Sequence, residues 1–167
     1  MTFLLATASI RAMADEPTGT AAAGKSLSWH HRYDIARAEA TRTGRNIMIL
    51  FTGSDWCPPC RSLEKNVFQD PDFIRHAGKR WVLLELDFPR RKPQSHAIRQ
   101  QNARLLRRFG VRGYPTVVFA NPQGQMIAGL SGYSDQKPRE YFTRLTEVES
   151  KYAGGEKVSK PAARPDR

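Results

Sequence analysis

The sequence predicts an α/β protein with a central mixed β-sheet and helices on both of its faces. Three observations carry this expectation. Short apolar runs at 46–52, 81–88 and 116–120 are interleaved with longer stretches of helical periodicity, the pattern of a sheet covered on both sides. A turn signal, Asn121-Pro122-Gln123-Gly124, then separates the third run from a fourth at 125–130, as in a hairpin. Finally, 167 residues with 40% hydrophobic content suit one domain with a real core.

Residues 29–43 read as an N-terminal helical extension, because Tyr33, Ala36 and Ala40 share one face and Gly44 follows as a stop. The run 46–52 is apolar enough for a strand buried on both sides. Residues 57–68 read as a helix, with Pro58 and Pro59 near its first turn, where a missing N–H costs little. A short helical piece follows at 71–77. The strand 81–88 is expected to be a second interior one, in which Val82, Leu84, Leu86 and Phe88 share one face, and Trp81, Leu83, Glu85 and Asp87 the other. Pro89-Arg90-Arg91-Lys92-Pro93 is a basic loop bounded by prolines. Residues 95–108 form a helix ended at Gly110, 116–120 a strand and 125–130 an edge strand. The closing helix, 137–152, turns Tyr141, Leu145 and Val148 inward.

The two ends differ from this middle in composition. Residues 2–10 are mostly apolar and precede Ala12-Met13-Ala14, which resembles the back half of a secretory signal. No Lys or Arg precedes the run, and Arg11 interrupts the approach to the cleavage-like site. Residues 1–14 are expected to be a signal remnant and the protein to be periplasmic or otherwise exported. The alternative is a disordered arm on a cytoplasmic protein. Residues 15–26 read as a flexible leader, 27–152 as the folded domain and 153–167 as a flexible basic tail. No apolar run approaches the roughly 20 residues that span a bilayer. The formal net charge of +11 bears on electrostatic attraction and not on fold. With no zinc-finger spacing and no aromatic–basic array, nucleic acid is not an expected partner.

Chemistry concentrates at Trp56-Cys57-Pro58-Pro59-Cys60, which holds both cysteines of the chain. They stand at a strand-to-helix junction, one helical turn apart. A thiolate at the first position meets the positive end of the helix, which lowers its pKa, and the second thiol closes on the first. Zinc is the main alternative for such a pair, but it takes four ligands, and His30-His31 carry no spacing that requires a metal. An inert structural pair is the other alternative. Thr52 and Arg61 are the residue types that activate a peroxide-reactive cysteine, without a dedicated peroxide loop beside them.

Arg112-Gly113-Tyr114-Pro115-Thr116-Val117-Val118-Phe119, taken with the cysteine motif, resembles the thioredoxin-fold family of thiol–disulfide oxidoreductases. The segments around Phe51–Cys57 and 63–73 are most similar to its exported members, including the electron-delivering domain of the transmembrane disulfide reductase. The resemblance implies a thioredoxin fold over residues 29–150 and a cis peptide bond before Pro115, lying against Cys57 and Cys60. It implies that the Tyr114 backbone pairs with an extended substrate, and that no metal or cofactor is needed. Ordinary thioredoxin has a buried aspartate where this chain has Phe51. Glu64, one turn beyond Cys60 and matched by an acid in the electron-delivering domain, is one substitute proton acceptor. Glu85 is the other, an expensive mid-strand charge unless it has a partner. Each has a simpler alternative: a solvated helix residue for Glu64, and a salt bridge to Lys or Arg for Glu85. Trp56 is expected to shield one side of the site. The expected function is therefore thiol–disulfide exchange with protein partners, in the reducing direction. A membrane electron-donor reductase is the implied supplier, and a monomer is expected. A binding or scaffold module without turnover, and a thiol oxidase or peroxidase, are the competing functions.

Overall fold

A computed structural model describes residues 27–153. In chain order its elements are α1 (Tyr33–Thr43), β1 (Ile47–Thr52), α2 (Pro58–Leu63), α3 (Pro71–Arg80), β2 (Val82–Asp87), α4 (His96–Arg108), β3 (Thr116–Ala120), β4 (Met126–Ser131) and α5 (Pro138–Ala153). The predicted signal remnant, the leader and the tail beyond residue 153 lie outside the described residues.

The four strands form one mixed sheet in the order β2-β1-β3-β4. β1 runs parallel to β2 and antiparallel to β3, and β3 runs antiparallel to β4. β2, expected to be interior, is an edge strand, whereas β1 is interior and every one of its residues is buried. Its alternation separates two cores. Met48 and Leu50 pack with Leu83, Val117, Phe119, Leu63, Phe73, Tyr141 and Leu145 on one face. Ile47, Ile49 and Phe51 pack with Val82, Leu84, Leu86, Tyr33, Ala36 and Leu105 on the other. The two-residue period of the strands thus puts α1 and α4 on one side and α2, α3 and α5 on the other.

Three predicted elements change shape. The first helix begins at Tyr33 and not at residue 29. The segment before it is extended instead, and His30 bridges the outer edge of β2, donating its N–H to the Leu83 carbonyl (2.9 Å) and accepting from the Glu85 N–H (2.8 Å). An uncovered strand edge leaves such groups unpaired, and satisfying them outweighs the helical periodicity of the segment. The second helix is not uniform. Beyond Leu63 it widens into a π-helical turn, Glu64–Phe68, in which Gln69 N–H reaches back to the Glu64 carbonyl at 3.1 Å. The wider turn lets the consecutive residues Val67 and Phe68 both be buried. α3 runs on to Arg80, with Asp70 capping its start by accepting from the Asp72 and Phe73 N–H groups.

The closing helix is latched by a group with no sequence signal. Glu149 is buried and accepts from Asn46 Nδ2 at 2.6 Å and from Arg80 Nε at 3.0 Å. This ties α5 to the entrance of β1 and to the end of α3, opposite the end of the sheet that carries the cysteines.

Candidate active site

β1 delivers the chain at Thr52 into the loop 53–56, which turns into α2. Cys57 is the residue before the first helical turn, with an extended backbone, and Pro58 and Pro59 fill the first two helical positions. Cys57 donates its N–H to the Gly53 carbonyl (2.9 Å), and its own carbonyl accepts from Cys60 N–H (3.1 Å) and Arg61 N–H (3.2 Å). Cys57 and Cys60 are joined in a disulfide with a Cα–Cα distance of 5.3 Å. Both are nearly covered, at 4% and 3% exposure, while Pro58 and Pro59 are exposed.

The Tyr114–Pro115 bond is cis. Thr116, the next residue, pairs with Phe51 near the end of β1, so Tyr114 and Pro115 stand at the point where the cysteine loop leaves the sheet. The Tyr114 ring meets Trp56 edge-on, with centroids 5.5 Å apart. Trp56 is half-buried and packs so closely over Gly53 that a Cβ there would lie 2.5 Å from the indole. Only glycine fits under that ring.

A second loop closes the other side. Trp56 Nε1–H donates to the Phe88 carbonyl (2.8 Å), and the Arg90 guanidinium lies 4.0 Å from the centre of the indole, within cation–π range. The Asp55 carboxylate accepts from three successive backbone amides, Arg90 (3.0 Å), Arg91 (2.7 Å) and Lys92 (3.1 Å). These amide bonds, Arg90's foremost, hold the Asp55 carboxyl down at about 2. Asp87, at the end of β2, accepts from Ser54 N–H (2.9 Å) and Ser54 Oγ–H (2.7 Å). Asp55, Asp87, Ser54 and Arg90 were not singled out from the sequence as parts of the cysteine site. No local signal marks them, because their partners are distant in sequence: Asp55 serves amides of residues 90–92, and Asp87 serves Ser54.

The two candidate acids are placed differently. Glu85 lies beside Leu50 in the β1–β2 register and is half-buried. Burial is the main cause that pushes its carboxyl above the ordinary range, with the Asp87 and Glu64 charges adding to the rise and His31 and Lys92 opposing it. Glu64 is exposed, at the start of the π-helical turn. The salt bridge that the sequence left open for Glu85 does not form among the described residues, where neither carboxylate has an ion-pair or hydrogen-bond partner. Phe51 is fully buried on the opposite face, against Phe88 and Phe109, so β1 supplies no acid to the cysteines from that position.

This arrangement, a dithiol closed to a disulfide at a strand-to-helix turn, with the tyrosine of a cis Tyr114–Pro115 bond against the neighbouring Trp56, is suited to thiol–disulfide exchange. Comparison with known proteins agrees. The chain is 32% identical over 108 residues to the disulfide bond reductase DsbH of Chlamydia pneumoniae, covering 65% of this chain and 64% of that protein. It is 28% identical over 111 residues to the thioredoxin-related protein DsbJ of the same organism, covering 66% of this chain and 32% of DsbJ. It is 36% identical over 92 residues to the thiol:disulfide interchange protein DsbD of Klebsiella pneumoniae, covering 55% of this chain and 14% of DsbD. The chain thus spans less than two thirds of the length of each of these relatives. Among solved structures, the DsbH oxidoreductase superposes with a TM-score of 0.71 at 25% identity, over 86% of this chain and 95% of that one. A thioredoxin from Thermus thermophilus gives 0.58 at 28% identity, over 79% and 95%. The thioredoxin-like domain family matches residues 33–148. That span starts with α1, takes in all four strands and ends within α5, so the likeness extends to the whole framework that holds the cysteines, and the chain belongs to the thioredoxin-like domain family.

Proposed function

We propose that the protein is a thiol–disulfide reductase acting outside the cytoplasm and recharged by a membrane electron donor. The observation that carries the direction is the entry of α2. Pro58 and Pro59 have no N–H, and the first amide of the helix, that of Cys60, is spent on the Cys57 carbonyl. Little in the backbone is left to stabilise a Cys57 thiolate. A dithiol whose reduced form is poorly stabilised gives up its electrons readily, the opposite of the strong oxidant DsbA. The printed name of the relative DsbH, a disulfide bond reductase, supports the same direction, and the signal-like start of the sequence supports an exported setting.

In this cycle the Cys57 thiolate attacks one sulfur of a substrate disulfide. The substrate S–S bond breaks, one substrate thiolate leaves, and a Cys57 mixed disulfide forms. Cys60 gives its proton to Glu64 or Glu85, directly or through water, and its thiolate attacks Cys57 Sγ. The second substrate thiolate leaves and is protonated. Two electrons have passed to the substrate, and the disulfide of the present structure has formed. The Tyr114 backbone ahead of Pro115 aligns the substrate as an added extended segment, and Trp56 covers the flank of the sulfur pair.

Equilibration with glutathione redox buffers tests the direction. A potential near about −270 mV is expected, and one near about −120 mV would make the protein an oxidase. With Cys60→Ser, the reduced protein should accumulate a mixed disulfide with substrate, and with Cys57→Ser it should not. Absence of exchange with any disulfide leaves a binding module.

A further inference from the structure

Next to the disulfide lies a cluster of cations that the exchange chemistry does not use. Arg90, Arg91 and Lys92 are all exposed. Among the described residues none of the three pairs with a carboxylate side chain. Arg90 instead lies over Trp56, and Lys92 Nζ donates to Ser54 Oγ at 3.2 Å. Arg61, directly after Cys60, and Arg112, two residues before Tyr114, are exposed as well and likewise have no such partner. Of the carboxylates nearby, two are engaged by other groups, and the other two, one turn from Arg61 and within charge range of Lys92, pair with neither cation. Asp55 faces the three loop amides and Asp87 faces Ser54, while Glu64 is exposed and Glu85 is half-buried.

A solvated basic loop is a common surface feature. This one differs in being fixed: its backbone is held by Asp55, and its first cation rests on the tryptophan that adjoins Cys57. Charges held in place before binding lose little freedom on binding, and a charged rim steers an oppositely charged partner toward the site it surrounds. We propose that the 90–92 loop, with Arg61 and Arg112, is a docking rim that selects protein substrates whose disulfide is flanked by Asp and Glu. The proposal rests on the thiol–disulfide exchange reading and names the substrate class for it.

The test uses the full chain, reduced beforehand, in single-turnover reactions with three disulfides: a two-cysteine peptide flanked by Asp and Glu, the same peptide flanked by Lys, and uncharged 2-hydroxyethyl disulfide. The acidic peptide is expected to react about tenfold faster than the basic one at low salt, and the ratio should fall toward one in high salt. The double variant Arg91→Glu, Lys92→Glu should reverse the ratio, and Arg91→Lys should retain it. Because the ratio is read within each variant, a general loss of activity does not mimic the effect. Equal rates on the two peptides, or a preference that survives charge reversal, would overturn the proposal. Charge-dependent binding to anionic lipid vesicles with equal peptide rates would overturn it in favour of a membrane surface. Failure of the unaltered protein on all three disulfides would overturn the exchange reading itself, and the docking proposal with it.

Discussion

At the scale of single residues, Glu85 is the group with the most testable chemistry. Its carboxyl is raised by burial beside Leu50, so between its unfolded and folded values the folded chain binds more protons than the unfolded one. Stability attributable to this group therefore falls as pH rises through that window, which opens near 4.5, the ordinary value. Glu85→Gln is expected to raise the thermal midpoint at pH 7 and to make little difference below the window. Melting curves at several pH values check this. A variant less stable than the parent at pH 7 would mean that the charge has a partner. The same substitution should slow the Cys60 step if Glu85 accepts its proton, whereas Glu64→Gln should do so if the exposed acid serves.

At the scale of elements, the proposed reducing direction rests on what the first turn of α2 lacks. Pro58→Ala returns one N–H to the position after Cys57 and is expected to raise the potential by about 30 mV, a tenfold change in the exchange equilibrium. An unchanged potential in the glutathione assay would show that this amide does not reach the sulfur. The start of α2 is also where sequence and structure agree most closely, because two prolines, a cysteine pair and a preceding apolar run each have one local consequence. The strands were legible for the same reason: alternation in 82–88 and the apolar run of β1 state their burial directly. What was not legible depends on distant partners. The bridge made by His30 answers the open edge of β2. The role of Asp55 depends on amides of residues 90–92, which only the fold brings near. The Glu149 latch needs Asn46 and Arg80 together. None of these pairings leaves a periodic trace.

At the scale of the whole molecule, redox state and folding are linked. If the reduced site is poorly stabilised, the oxidised chain should unfold at a higher urea concentration than the reduced chain, since an equilibrium favouring the disulfide in the folded state is also stability of that state. The small loop closed by the bond contributes little to this difference through chain entropy. Paired urea titrations with and without dithiothreitol check it, and a reduced form that is the more stable one would indicate an oxidase. Acidity reaches the parts of this site in sequence. The Glu85 carboxyl takes up its proton first as pH falls, whereas the Asp55 carboxyl, held near 2 by three amides, keeps its charge well below that point. The loop that Asp55 anchors therefore stays fastened in moderately sour surroundings, while the face beside it loses a negative charge. On the proposed export into an unbuffered environment, this amounts to acid tolerance: the mouth of the site keeps its shape, and the pull on anionic chains proposed for the basic rim grows until those chains are neutralised themselves.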